Sequence, residues 1–452
     1  MKTNSFLRLL AVVGFLILLA GCTANKPYRT IYTSTAATQT GTNVTNAVIE
    51  TTAAFKLGFV EFDDQGWFWD RRQWDAVQQM IQTEAKLDRS TNSTQGIVMV
   101  LFVHGWKNNA SFDNGNVGMV RATLKELNKA EKIQSDHENR KARKIVGIYV
   151  GWRGLSAKLE PFKELSFYER KNTAGKIGYG AVTELLIRLE DLQKVINKSR
   201  GQDVPKTDLI IVGHSFGGAL VYSAILQILT ERFVNNSVER NRPLQSFGDL
   251  VVLLNPAFEA SLYYNLNELV TSITNYPKEQ RPVLAIFTSK ADWATKYAFP
   301  AGRFLSTFFE KNRSDKPQRS ANREAVGHFQ PFFTHDLVYD AKAKISETSH
   351  STLNLQSQTN ELHNQQKLLA SIANIRSLRN QWRTNVAKPV AYSFDDCQLQ
   401  PRDSYRPGDP FLIVSVDKQI IHDHNDITNP ILINFLREFI LFSQTDPRQH
   451  SE

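Results

Sequence analysis

Apolar positions along the chain follow two alternating patterns: short unbroken runs, and longer stretches in which they recur every three or four residues. The runs Ile97–Val103, Ile145–Val150, Leu209–Val212, Asp249–Leu254, Pro282–Thr288 and Phe411–Val416 are rich in β-branched residues, and each predicts a buried strand. Lys56–Phe62 alternates and predicts a further strand, closed by the turn Asp63-Asp64-Gln65-Gly66. Between the runs lie helical patterns. Trp74, Val77, Ile81 and Ala85 keep helical spacing over 70–86, and residues 115–133 read as a second helix. Val182, Leu185, Leu189, Leu192 and Ile196 form an amphipathic stripe over 180–198, Ala219–Leu229 is almost wholly apolar, and Leu432, Phe435, Leu436 and Phe439 mark a closing helix over 430–442. Strands alternating with helices at this spacing predict an α/β protein: an open, mostly parallel sheet with helices on both faces. Function in such sheets gathers at the carboxyl ends of the strands.

The polar motifs sit at those ends. Gly213-His214-Ser215-Phe216-Gly217-Gly218 joins the Leu209–Val212 strand to the helix that follows. A G-x-S-x-G turn in this setting lifts the serine oxygen over the sheet and points helix N-terminal N–H groups at any charge forming nearby. The five-residue pattern also arises by chance, and glycine-rich turns serve packing or phosphate binding. A serine hydroxyl needs a base, an acid to orient the base, and donors for an oxyanion. The base comes from Ile420-Ile421-His422-Asp423-His424-Asn425-Asp426 after the last strand, with His424 preferred to His422 because it lies nearer the closing helix. The acid is Asp292, after the Pro282–Thr288 strand, with Glu259 and Asp423 as fallbacks. The backbone N–H groups of Phe216 and of Trp106, in His104-Gly105-Trp106 after the first apolar run, supply the oxyanion donors. His214 reads as a packing or hydrogen-bonding residue, because the x of the turn points away from the serine.

Composition narrows the class. The 452 residues carry a formal net charge of +9 without a long basic run, and Arg140-Lys141-Ala142-Arg143-Lys144 reads as a solvated loop, so no nucleic-acid partner is expected. No CxxC, HExxH, P-loop or EF-hand pattern occurs, and no metal is expected. Residues 1–21 read as an export signal: Lys2 and Arg8 precede an apolar run ending in Leu19-Ala20-Gly21-Cys22. That ending resembles the lipobox of bacterial lipoproteins, which implies cleavage before Cys22 and its modification with lipid such as palmitate. Thr23 rather than Asp follows the cysteine, which by resemblance to the enterobacterial sorting rule implies the outer membrane, facing the periplasm, in a Gram-negative source. Residues 22–54 are rich in Thr, Asn and Ala and read as a flexible tether. Residues 55–299 and 405–445 form the expected core. Residues 300–404 break the rhythm and read as an insertion before the last strand, a lid over the site or a surface decoration.

The His104-Gly105 pair, the Gly213–Gly218 turn, Asp292 and His424, in this chain order, resemble the α/β-hydrolase superfamily over roughly 57–300 and 405–443. The resemblance implies ester, thioester or amide hydrolysis through an acyl-serine intermediate, with no metal or organic cofactor. The expected protein is a membrane-tethered serine hydrolase of the esterase or lipase-like kind, with an ester or lipid substrate and the membrane as its partners. The same triad would serve a peptidase or an acyltransferase, and a non-catalytic envelope lipoprotein could bind ligands on such a scaffold.

Overall fold

A computed structural model of the chain describes residues 25–32, 45–87, 94–156, 162–238, 243–273, 276–307, 310–311, 316–340, 358–384 and 389–444. The expected signal segment and Cys22 lie outside these residues. Each apolar run is a strand: β2 (Phe55–Glu61), β3 (Ile97–Val103), β4 (Lys144–Gly151), β5 (Asp208–His214), β6 (Leu250–Leu254), β7 (Leu284–Ser289) and β11 (Phe411–Val416). With β1 (Ile49–Thr51), β8 (His335–Tyr339), β9 (Tyr392–Phe394) and β10 (Cys397–Pro401) they make one sheet in the order β1-β2-β4-β3-β5-β6-β7-β11-β8-β10-β9. From β2 to β8 along this order every pairing is parallel, and the pairings β1–β2, β8–β10 and β10–β9 at the two edges are antiparallel.

Strand pleat explains why the central strands carry no polar face. All seven residues of β3 are buried, with Ile97, Met99, Leu101 and Val103 in one apolar layer and Val98, Val100 and Phe102 in the other. The first layer is completed by α1 (Arg71–Glu84), α3 (Phe162–Ile177), α4 (Thr183–Lys198), α5 (Phe216–Val238) and α6 (Ala260–Ser272). The second is completed by α2 (Gly115–His137), α9 (Gln358–Thr384) and α10 (Pro430–Ser443). Two short helices, α7 (Phe299–Ser306) and α8 (Lys316–Arg323), lie between β7 and β8 in sequence. The first half of α5, residues 216–225, is buried on every side because α3, α4 and α6 enclose the sides the sheet leaves open. This is an α/β-hydrolase-like architecture.

Within the segment read as tether, residues 25–32 and 45–54 are mostly exposed or half-buried, but Arg29, Ala47 and Val48 are buried. Arg29 is fully buried with its guanidinium 3.6 Å over the Phe59 ring, donates to the Ala110 carbonyl at 2.7 Å and pairs with Glu50 at 2.8 Å. The Glu61 carboxylate accepts from the backbone N–H of Tyr28 and of Arg29. The described parts of the 300–404 stretch join the sheet and its faces. Its strands β8, β9 and β10 widen the sheet beyond β11. Its helix α9 buries Ile372, Ile375, Leu378 and Trp382 at helical spacing, against the layer of α2 and α10. The Trp382 indole N–H donates to the Gln280 carbonyl at 2.7 Å, and Arg379 donates to carbonyls at the end of α10, which fixes α9 to the sheet face. None of the described helices is long and apolar enough to cross a membrane.

Candidate active site

Ser215 occupies a strained turn that its neighbours make unavoidable. Its φ is +57°, in the left-handed region where a non-glycine residue is uncommon. The turn is closed by the Ser215 N–H donating to the Leu254 carbonyl at 3.0 Å and by the Ser215 carbonyl accepting from Ala257 at 3.0 Å and Ala219 at 3.2 Å. Two glycines make room. A Cβ on Gly217 would stand 2.2 Å from the Val103 carbonyl oxygen, and one on Gly105 would stand 2.7 Å from the Ser215 Cβ. The chain after β3 therefore passes directly against the serine.

The three expected side chains meet. The Ser215 Oγ lies 2.7 Å from His424 Nε2, and His424 Nδ1 lies 2.8 Å from Asp292 Oδ2. An ionised carboxylate only accepts, so Nδ1 carries the ring proton and Nε2 accepts from the serine hydroxyl. Asp292 is fully buried. Burial alone would raise its pKa, but hydrogen bonds from His424 and from Thr295 outweigh it and hold the carboxyl below its usual range. The choice within the histidine doublet is settled by position: His422 is exposed, with its backbone N–H donating to Asp426. Neither fallback acid approaches the imidazole through a hydrogen bond. Glu259 pairs with Lys171 at 2.9 Å and Arg303 at 3.3 Å, and Asp423 accepts backbone N–H groups of its own loop.

The base loop is held by residues that the sequence did not place against it. The His424 carbonyl accepts from His214 Nε2 at 2.9 Å and from Asn255 Nδ2 at 3.0 Å. Asn255 itself sits at φ +43°, and its Oδ1 accepts from the Ser289 N–H at 2.9 Å, so one amide ties β6, β7 and the histidine loop together. The Ser289 hydroxyl donates to the Ile421 carbonyl at 2.6 Å. His214 is buried and held neutral, its pKa pushed down to about 3 by burial and by His424, which suits a neutral ring N–H donor. Its expected role as a hydrogen-bonding residue matches this contact. Replacing Asn255 with Ala is expected to slow reaction of Ser215 with a fluorophosphonate roughly 10- to 100-fold and to destabilise the fold by about 1–3 kcal/mol, because the buried Ser289 N–H loses its acceptor. Labelling rates and thermal denaturation of the variant check both figures.

The segments expected to carry the oxyanion donors lie beside the serine. Phe216 is the first residue of α5, and Trp106 follows the Gly105 that touches Ser215. His104 shapes this loop: its Nδ1 donates to the Gly105 carbonyl at 2.9 Å and its Nε2 accepts from the Trp152 N–H at 3.1 Å. Burial holds this imidazole neutral, with its pKa pushed down to about 4. The described cover over the elbow comes from α3, not from 300–404. Phe167 packs 4.7 Å from the Phe216 ring and edge-on to Trp106 at 5.3 Å, between ring centroids. Ser215 is only 1% exposed, whereas the His424 side chain keeps 16%.

An α/β-hydrolase-like sheet that brings an elbow serine, a histidine and a buried carboxylate into this geometry has the machinery of a serine hydrolase. Comparison with protein-family models, with curated proteins and with solved structures finds no match to the chain, so the class rests on the geometry itself. Among the described residues no cluster of three His, Cys, Asp or Glu side chains could hold a metal ion.

Proposed function

We propose that the chain hydrolyses carboxylic esters through an acyl-serine intermediate, at a membrane to which lipid on Cys22 tethers it. The observation that carries the catalytic part is the continuous contact of Ser215, His424 and Asp292. As Ser215 Oγ bonds to the ester carbonyl carbon, its proton passes to His424 Nε2, and Asp292 stabilises the imidazolium. The oxyanion is taken by the Phe216 and Trp106 N–H groups. Collapse of the tetrahedral species breaks the C–O bond to the alcohol, which leaves with the proton from His424. Water then enters by the same steps in reverse order and releases the acid.

An acyl or lipid ester is favoured by the apolar surroundings. Phe167, Phe216 and Trp106 wall the elbow, and the segment after Asp292 exposes Trp293, Tyr297 and Phe304, the first of them 67% exposed. Lys296 lies 5.4 Å from the Tyr297 ring centroid and Arg323 lies 4.7 Å from that of Phe304, an aromatic and cationic pairing suited to an anionic lipid surface. The lipobox-like ending at Cys22 supports the tether and an envelope location.

The test uses full-length protein in detergent against p-nitrophenyl esters from acetate to palmitate, beside peptide anilides. Ester turnover that exceeds anilide turnover at least about tenfold, with faster cleavage of longer acyl chains, supports the proposal; preference for anilides converts it to a peptidase. Incorporation of labelled palmitate by wild type and none by Cys22→Ser supports the tether, and equal incorporation removes it.

A further inference from the structure

The carboxylate of Asp292 has a partner that the Ser-His-Asp arrangement does not require. The Thr295 hydroxyl donates to Asp292 Oδ2, the same oxygen that His424 engages, and the Thr295 backbone N–H donates to Oδ1 at 3.1 Å. That hydroxyl has a single proton. Since the carboxylate only accepts, Thr295 spends its proton on Asp292, and its contact with His328 Nε2 at 2.9 Å must be one in which the histidine donates. The order of donation is therefore fixed: His328 Nε2–H to Thr295 Oγ1, Thr295 Oγ1–H to Asp292 Oδ2.

Placing His328 there takes a dedicated piece of backbone. It ends the turn Val326–His328, whose Val326 N–H donates to the Phe258 carbonyl at 2.9 Å. Gly327 presses the turn onto β7 so closely that a Cβ would fall 1.8 Å from Thr288 Oγ1. Burial pushes the His328 pKa down to about 4, which keeps the ring in the neutral form that donates from one nitrogen only. The outer side of His328 lines a cleft of about 500 Å³, shared with Lys296, Tyr297 and Arg402.

We infer that Thr295 and His328 are positioning residues that extend the triad to a five-membered chain, Ser215–His424–Asp292–Thr295–His328. The chain holds both carboxylate oxygens in place and lowers the basicity of Oδ2, so that the proton gained in the reaction stays on His424. Without His328 the threonine rotor loses the donor that orients it; without the threonine, Oδ2 keeps a single donor. The inference rests on the serine-hydrolase reading of the site.

The test is the second-order rate of fluorophosphonate labelling in full-length protein. Thr295→Val, close to the native shape, is expected to lower the rate roughly 10- to 100-fold, and Thr295→Ser to restore it to within about threefold. His328→Phe is expected to lose about three- to tenfold, and His328→Gln, which returns an N–H donor at the same reach, to recover it. In an Asp292→Asn background the Thr295→Val effect is expected to shrink to less than about twofold, because the two act through one carboxylate. A wild-type rate in folded Thr295→Val and His328→Phe, or a Thr295→Val loss that persists in full beside Asp292→Asn, overturns the inference and leaves the triad standing. A wild type that does not label takes down the hydrolase reading and this inference with it.

Discussion

Ser215→Ala is expected to abolish fluorophosphonate labelling and to lower ester turnover at least about a thousand-fold, while the folded protein keeps its thermal stability within about 1 kcal/mol. The large effect follows because Ser215 is the nucleophile poised on the base: His424 Nε2 has the Ser215 hydroxyl as its partner. The small stability effect follows from the strain at the same position. The backbone at φ +57° is held by the Leu254, Ala257 and Ala219 hydrogen bonds, none of which uses the side chain. His424→Ala is expected to match the loss of labelling, whereas His422→Ala leaves it unchanged, because His422 faces solvent on the same loop. A labelled Ser215→Ala variant would move the reactive serine elsewhere. A fast His424→Ala variant would remove the base.

The sequence revealed the sheet where burial is two-sided and hid it where burial is partial. The central strands are unbroken apolar runs because helices cover both of their faces, as in β3. The strands β8 and β10 sit at the widened edge, where only alternate residues are buried, and β10 ends at Pro401. Their patterns, only five residues long, are too short and polar to stand out from loop. The residues at 25–32 were hidden for a related reason. Arg29 and Tyr28 bind through backbone N–H groups and a buried guanidinium, which leave no apolar signature.

The site was legible to the extent that its parts sit at strand ends. The elbow, Asp292 and the histidine loop each follow a strand, and chain order alone ranks them. The spacing could not separate His424 from His422, since that depends on which carbonyl the His214 and Asn255 donors grip. Asn255-Pro256 follows β6 directly, so its place beside the elbow was readable, but its use as a three-way tie was not. Thr295 and His328 were hidden altogether: their contact joins positions far apart in the chain, and neither lies in an apolar rhythm. Phe167 was hidden because α3 is mixed and polar and carries no clear apolar stripe.

Asp292→Asn is expected to lower kcat/KM about ten-thousand-fold with little change in fold, and the reason is the position of one proton. In the wild type the carboxylate accepts from His424 Nδ1–H, from the Thr295 hydroxyl and from the Thr295 N–H. An asparagine has one accepting oxygen and one donating amide. The Thr295 N–H, fixed by the turn, keeps the oxygen on its side. The amide NH2 then faces His424 and donates to Nδ1, which moves the ring proton to Nε2. Nε2–H cannot accept from Ser215, so the contact of 2.7 Å survives while the base is lost. The variant is expected to fold, since its shape and most of its hydrogen bonds remain, and to label slowly but measurably, about ten-thousand-fold below the wild type. Carbon-nitrogen correlated NMR of the His424 ring is expected to show the proton on Nδ1 in the wild type and on Nε2 in the variant. An Asp292→Asn protein that retains more than about a tenth of wild-type activity would mean that His424 is oriented by the His214 and Asn255 grip on its carbonyl alone, and that the buried carboxylate serves the fold rather than the reaction.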